Sequence, residues 1–125
     1  MDRNDDETKK HLINFLEEFK QLIYERKITI RDRKVTLDTL IKLGYTFKNL
    51  EQILLSLTVE DYYEGPKKDI YKPGDHYWEF GKIINGEEYY IKVKIEQGPG
   101  DERAICLSFH GAERPLRFPY KEKLK

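Results

Sequence analysis

The chain has 125 residues, 38% hydrophobic and 37% charged, with 23 basic residues balanced by 23 acidic ones. That length suits one domain built on a single modest core. The balance of charge removes any global field favouring nucleic acid or a membrane, and a single cysteine excludes an internal disulfide framework. The ends are less even: Asp2, Asp5, Asp6 and Glu7 face Arg3 alone, while Arg114, Arg117, Lys121, Lys123 and Lys125 face Glu122 alone. No apolar run approaches membrane-spanning length, and the charged N-terminal stretch does not read as a signal peptide. A cytoplasmic protein with no membrane partner is expected.

Residues 1–8 are polar and expected to be disordered. From about Lys9 to Arg26, Leu12, Ile13, Phe15, Leu16, Phe19, Leu22 and Ile23 recur at helical spacing, which predicts an amphipathic helix with its stripe in the core. Ile28–Arg33 is an ambiguous link. A brief extended stretch fits there, with Arg31, Asp32, Arg33 and Lys34 solvated. Thr36 is placed as the cap of a helix through Lys42, stopped by Gly44. Thr46 caps the next, with Leu50, Ile53, Leu54 and Leu57 as its stripe. Thr58-Val-Glu-Asp61 has capping-box spacing and predicts a short turn carrying Tyr62 and Tyr63. Residues 9–63 thus form the helical part.

Gly65–Asp75 reads as a long loop, bounded by Pro and Gly, with Lys67 and Lys68 on it. Beyond it the period changes from helical to alternating. His76–Ile84 and Glu87–Glu96 are strands joined by Asn85-Gly86, a strong two-residue hairpin signal. That turn sets Ile84 opposite Glu87, Phe80 opposite Ile91, and Trp78 opposite Val93, so the apolar residues share one face. On the other face Gly81 meets Tyr90, Glu79 meets Lys92, and Tyr77 meets Lys94. Gln97–Glu102 is the next turn and Arg103–His110 the third strand, with Ile105, Leu107 and Phe109 in an apolar row and Cys106, Ser108 and His110 opposite. Residues 75–110 are therefore a meander. In the tail, 111–125, prolines exclude a central strand, while Leu116, Phe118 and Tyr120 suit packing on the sheet's edge or end. The predicted fold is α+β: a single domain of N-terminal helices on a three-stranded, or slightly larger, antiparallel sheet.

The polar sheet face carries the candidate chemistry. Its bland reading is a solvated surface, with Glu79–Lys92 an ordinary cross-strand ion pair worth under ~1 kcal/mol. Its functional reading is RNA strand cleavage. There a 2′-hydroxyl loses a proton, the phosphorane's charge needs cationic or hydrogen-bond stabilisation, and the 5′-oxygen gains a proton. Tyr90, Lys92, Ser108 and His110 converge for such work, and aromatics such as Tyr77 offer stacking platforms for bases. Lys67 and Lys68 on a basic loop are suited to clamp phosphates. Ser108 and His110 lack a nucleophile elbow and an acidic third member, which argues against a serine hydrolase. Asp75, His76 and His110 lack dense ligand spacing, so no metal or other cofactor is assigned. Cys106 reads as a packing residue.

Leu57-Thr-Val-Glu-Asp-Tyr-Tyr63, Tyr77-Trp-Glu-Phe80, Tyr89-Tyr-Ile-Lys-Val93 and Leu107-Ser-Phe-His110 together resemble the motility quorum-sensing regulator (MqsR) family, across about residues 10–110. The resemblance implies a RelE-like fold and a toxin of a type II toxin–antitoxin system, an mRNA interferase held silent by a cognate antitoxin. It places the family's catalytic tyrosine on Tyr90. It also sets His110 where the family has a lysine, Glu79 where it has a glutamine, and Glu64 where a lysine follows the aromatic turn. The expected function is a metal-independent endoribonuclease on single-stranded mRNA. Tyr90 and His110 are its acid–base pair, Lys92 stabilises the phosphate, Glu79 is a further candidate base, and Lys67, Lys68, Lys94, Arg114, Arg117 and Tyr77 contact RNA. The alternative is a non-catalytic RNA- or protein-binding module of the same fold.

Overall fold

The computed structural model describes residues 3–98 and 100–121. Helix α1 runs Arg3–Tyr24 and buries Leu12, Leu16, Phe19, Leu22 and Ile23 along one stripe. It takes in residues 3–8, expected to be disordered. Asp6 and Glu7 lie in its first turns, where carboxylates complement the positive end of the helix dipole. Residues 1, 2, 99 and 122–125 lie outside the described residues. Strand β1 (Ile28–Ile30) leads to α2 (Lys34–Leu43), α3 (Phe47–Leu55) and a 3-10 turn (Val59–Asp61). Then come β2 (Tyr62–Lys68), β3 (His76–Ile84), β4 (Glu87–Glu96) and β5 (Arg103–Gly111).

The architecture is α+β, helices first and then the sheet, but the sheet has five strands in the order β1-β5-β4-β3-β2 and is mixed, because β1 runs parallel to β5. Two strands thus join the expected three. Ile28-Thr-Ile is the ambiguous link, and its β-branched residues suit an extended backbone. The other is Tyr62–Lys68, expected to be a helical turn and then a loop. Gly65 and Pro66 hide it in the sequence, and both are tolerated because β2 is an edge strand with register shifts on either side of Glu64. Lys67 and Lys68 therefore sit on a strand paired with β3, not on a loop.

The β3–β4 register is the one the turn predicts, from Ile84↔Glu87 to Tyr77↔Lys94, with positive φ at Asn85 (53°) and Gly86 (81°). The β4–β5 pair carries a bulge: Lys92↔Ser108 is followed by Val93↔Cys106, leaving Leu107 unopposed. Alternation changes phase there. Phe109, Cys106 and Ala104 enter the core, and Ile105 moves to the opposite face, across from Lys94. The expected Ile105–Leu107–Phe109 row is thereby corrected. Cys106 is fully buried, and burial pushes its thiol up to about 12.

Thr58 and Asp61 form the capping box that their spacing suggests, and Thr46, expected as a cap, forms a second box with Asn49. Thr36 does not cap α2, which begins two residues earlier with Arg33 at its N-cap. The buried Thr36 hydroxyl instead accepts a hydrogen bond from the Phe109 amide (3.2 Å). The helices cover one face of the sheet, where Phe15 stacks on Phe19 and Trp78 at 5.3 and 5.4 Å. The tail takes part of the other. Leu116 and Phe118 fill the space above Gly81, where an added Cβ would lie 2.6 Å from Leu116 Cδ1. Tyr120 then stacks on Tyr62 at 5.1 Å.

Candidate functional site

Between the tail and β5 the uncovered sheet face forms an open cleft of about 460 Å³. Its floor is two transverse rows set by strand register: Glu79, Lys92 and Ser108, then Gly81, Tyr90 and His110. Gly81 leaves its place to Leu116 and Phe118, so the tail becomes a wall, and Glu113 and Arg114 line the cleft from it. Four cations and three carboxylates border this space: Arg33, Lys67, Lys92 and Arg114 against Glu64, Glu79 and Glu113.

Glu79 is 93% buried. Its Oε2 accepts a hydrogen bond from the Tyr90 phenol. Its Oε1 lies 2.7 Å from Lys67 Nζ, off the hydrogen-bonding direction but close enough for the Coulomb attraction to hold. Lys67 also meets Glu64 at 2.5 Å. Burial pulls the Lys67 ammonium down, but Glu64 and Glu79 outweigh it and hold the group above its ordinary value. The hydrogen bond from Lys67 keeps the Glu64 carboxyl below the usual carboxylate range, with Arg117 and Arg114 adding to it. Burial first, and the bond to Glu79 second, push the Tyr90 phenol well above its ordinary value. At neutral pH Tyr90 is therefore a protonated donor.

The expected Glu79–Lys92 ion pair does not form, because Lys67 reaches Glu79 from the neighbouring edge strand. Lys92 Nζ instead sits 4.1 Å from the centroid of the Tyr77 ring. His110 tilts against Tyr90 with ring centroids 5.0 Å apart. Its Nδ1 is 2.8 Å from the Gly111 carbonyl. A carbonyl can only accept, so Nδ1 carries a proton, and in the neutral ring Nε2 is the acceptor.

Of the residues singled out in the sequence, Tyr90, His110, Lys92, Glu79, Lys67 and Arg114 come together in the cleft. Tyr77 lies beside them beneath Lys92. Arg117 is at the rim, exposed and 3.5 Å from Glu64. Lys68 is exposed near the end of β2, paired with His76 and not among the lining residues. Lys94 is a correction: it is 98% buried, held by Asp69 at 2.6 Å and Asp75 at 3.1 Å, and is not available to RNA. Those aspartates sit at the two ends of the β2–β3 loop, which folds over Lys94.

Arg33 is the residue sequence reasoning missed. Read as solvated, it donates from Nη1 to Ser108 Oγ and lines the cleft. No local pattern marks it. Only the parallel pairing of β1 with β5 carries the chain to Ser108 before α2 begins. Among the described residues no group of three or more His, Cys, Asp or Glu is arranged to hold a metal ion, and no helix is long and apolar enough to cross a membrane. Compared with protein-family models, with curated proteins and with solved structures, the chain gives no significant match.

Proposed function

We propose that the chain is an endoribonuclease toxin of a type II toxin–antitoxin system, cutting single-stranded mRNA without a metal ion. One observation carries this reading: a protonated phenol, an imidazole whose neutral ring can accept at Nε2, and two cations, Arg33 and Lys92, without carboxylate partners among the described residues meet in one open cleft. The resemblance of its sequence motifs to MqsR-family toxins supports it independently. His110 Nε2 takes the 2′-hydroxyl proton, and the 2′-oxygen attacks phosphorus. The P–O5′ bond breaks to leave a 2′,3′-cyclic phosphate, and Tyr90 protonates the departing oxygen. An alkoxide is a stronger base than a phenolate, so this last transfer is downhill even from a phenol held above its ordinary value. Lys92 and Arg114 stabilise the charge on the phosphorane.

Incubation of the purified chain with end-labelled single-stranded RNA in excess chelator tests the proposal. Fragments ending in cyclic phosphate are expected, with rates lower by about a hundredfold or more in Tyr90→Phe and His110→Ala. Intact RNA with the wild-type protein, or unchanged rates in both variants, would overturn it. A second reading, a non-catalytic binding module of the same fold, is favoured by the capture of Lys67 between Glu64 and Glu79, which neutralises one cleft cation. RNA retained in a gel shift but never cut would select it.

A further inference from the structure

The cleft is electrically lopsided. On its β2 side Lys67 is shared by Glu64 and Glu79, and Arg117 also leans on Glu64. On its β5 side, neither Arg33 nor Lys92 makes an ion pair with a carboxylate among the described residues. Arg33 has the neutral Ser108 hydroxyl as its partner, and Lys92 has the face of Tyr77. The Ser108 contact uses one of five guanidinium N–H donors and leaves the whole positive charge uncompensated.

This arginine is also held in place. The segment before it is tied to β5 by the Arg31 amide, which donates to the Cys106 carbonyl at 3.0 Å. The segment after it is tied by Thr36 Oγ1, which accepts from the Phe109 amide at 3.2 Å. Ser108 is 98% buried, so the hydroxyl that orients the guanidinium is a fixed point, while the arginine itself stays open to solvent. A preorganised planar fork of this kind matches a phosphate group better than a mobile surface cation does. Lys92 and Ser108 are direct cross-strand partners, and the adjoining row holds Tyr90 and His110. An anion seated between Arg33 and Lys92 therefore lies next to both groups that move protons.

We propose that Arg33 is a substrate-binding residue of this cleft, holding a phosphodiester oxygen jointly with Lys92 and keyed in position by Ser108. This deepens and rests on the ribonuclease reading. Its test separates binding from cleavage by using a short 2′-O-methyl RNA oligonucleotide, which lacks the nucleophile and stays intact. Equilibrium binding to the full chain is measured from low to moderate salt for the wild type, Arg33→Gln, Arg33→Lys and, as a control on the helical side, Lys48→Gln. Removing one phosphate contact predicts a loss of about fivefold near 0.1 M salt, and a plot of log affinity against log salt shallower by about 0.7. Arg33→Lys keeps the slope and recovers part of the affinity, and Lys48→Gln changes neither. Circular dichroism melts verify folding. Should Arg33→Gln melt early, its binding is measured well below the transition, where the salt slope still decides.

Wild-type binding that Arg33→Gln leaves unchanged would overturn the assignment while the ribonuclease reading survives on its own cleavage data. Weaker binding of Arg33→Gln with an unchanged salt slope would overturn it as well, since the arginine would then act through structure alone. A wild-type chain that neither binds the oligonucleotide nor cuts RNA would remove both.

Discussion

Lys92 and Lys94 stand two residues apart on β4, on the same face of the sheet, and end in opposite circumstances. Lys94 is sealed beneath the β2–β3 loop, between two aspartates that more than offset the pull of burial and raise its ammonium above its ordinary value. Lys92 lies on an aromatic ring in an open cleft and has no carboxylate of its own among the described residues. The first charge is used up in closing the structure. The second is left over, and an uncompensated, solvent-reachable cation is what an anionic ligand requires. The tail repeats the distinction at the far end of the face, where Leu116 and Phe118 cover Gly81 and leave the middle row open.

The sharpest way to break this contrast is Lys94→Met. It leaves Asp75 buried without a cation and should cost about 3–5 kcal/mol, a fall in melting temperature of about 10 °C or more. The pH dependence should also flatten. In the wild type the hydrogen bond from Lys94 holds the Asp69 carboxyl below the usual carboxylate range. A group depressed in the folded state lends stability above its unfolded value and loses it as pH falls through the folded one, so acid weakens the wild type. In Lys94→Met the Asp69 carboxyl loses that hydrogen bond while burial still opposes its charge, so this loss of stability in acid should shrink. Denaturant melts across the acid range check both slopes, and a variant as stable as the wild type at neutral pH would erase the contrast.

Gly81→Val probes the covered end of the face. Its methyl groups enter space already filled by Leu116 and Phe118, at a cost of about 1–3 kcal/mol as the tail shifts outward. Limited proteolysis should then cut the tail earlier than in the wild type. Lys92→Gln gives the smallest effect on folding, within about 1 kcal/mol, since only a cation–π contact is lost. It should nonetheless weaken binding of single-stranded RNA about fivefold near 0.1 M salt. A Lys92→Gln variant that binds like the wild type would show that the open lysine serves no ligand.

Much of this was legible in the sequence because it depends on neighbours along the chain. Alternation from His76 to Glu96 and the turn pair Asn85-Gly86 set the hairpin register, and the caps Thr46 and Thr58 mark the starts of α3 and the 3-10 turn. These signals also put Tyr90, Lys92 and Glu79 on one face, and His110 joins them because its row precedes the bulge. Tertiary structure decided what alternation cannot express. The bulge at Leu107 exchanged Ile105 and Cys106 between faces, β2 brought Lys67 to Glu79 in place of Lys92, and the loop enclosed Lys94. Parallel pairing of β1 delivered Arg33 to Ser108 from 75 residues away. Period and turn chemistry specify which side a residue faces, through short-range sterics and backbone hydrogen bonds. Which opposite charge it meets there depends on distances across strands far apart in sequence, and those exist only once the sheet has assembled.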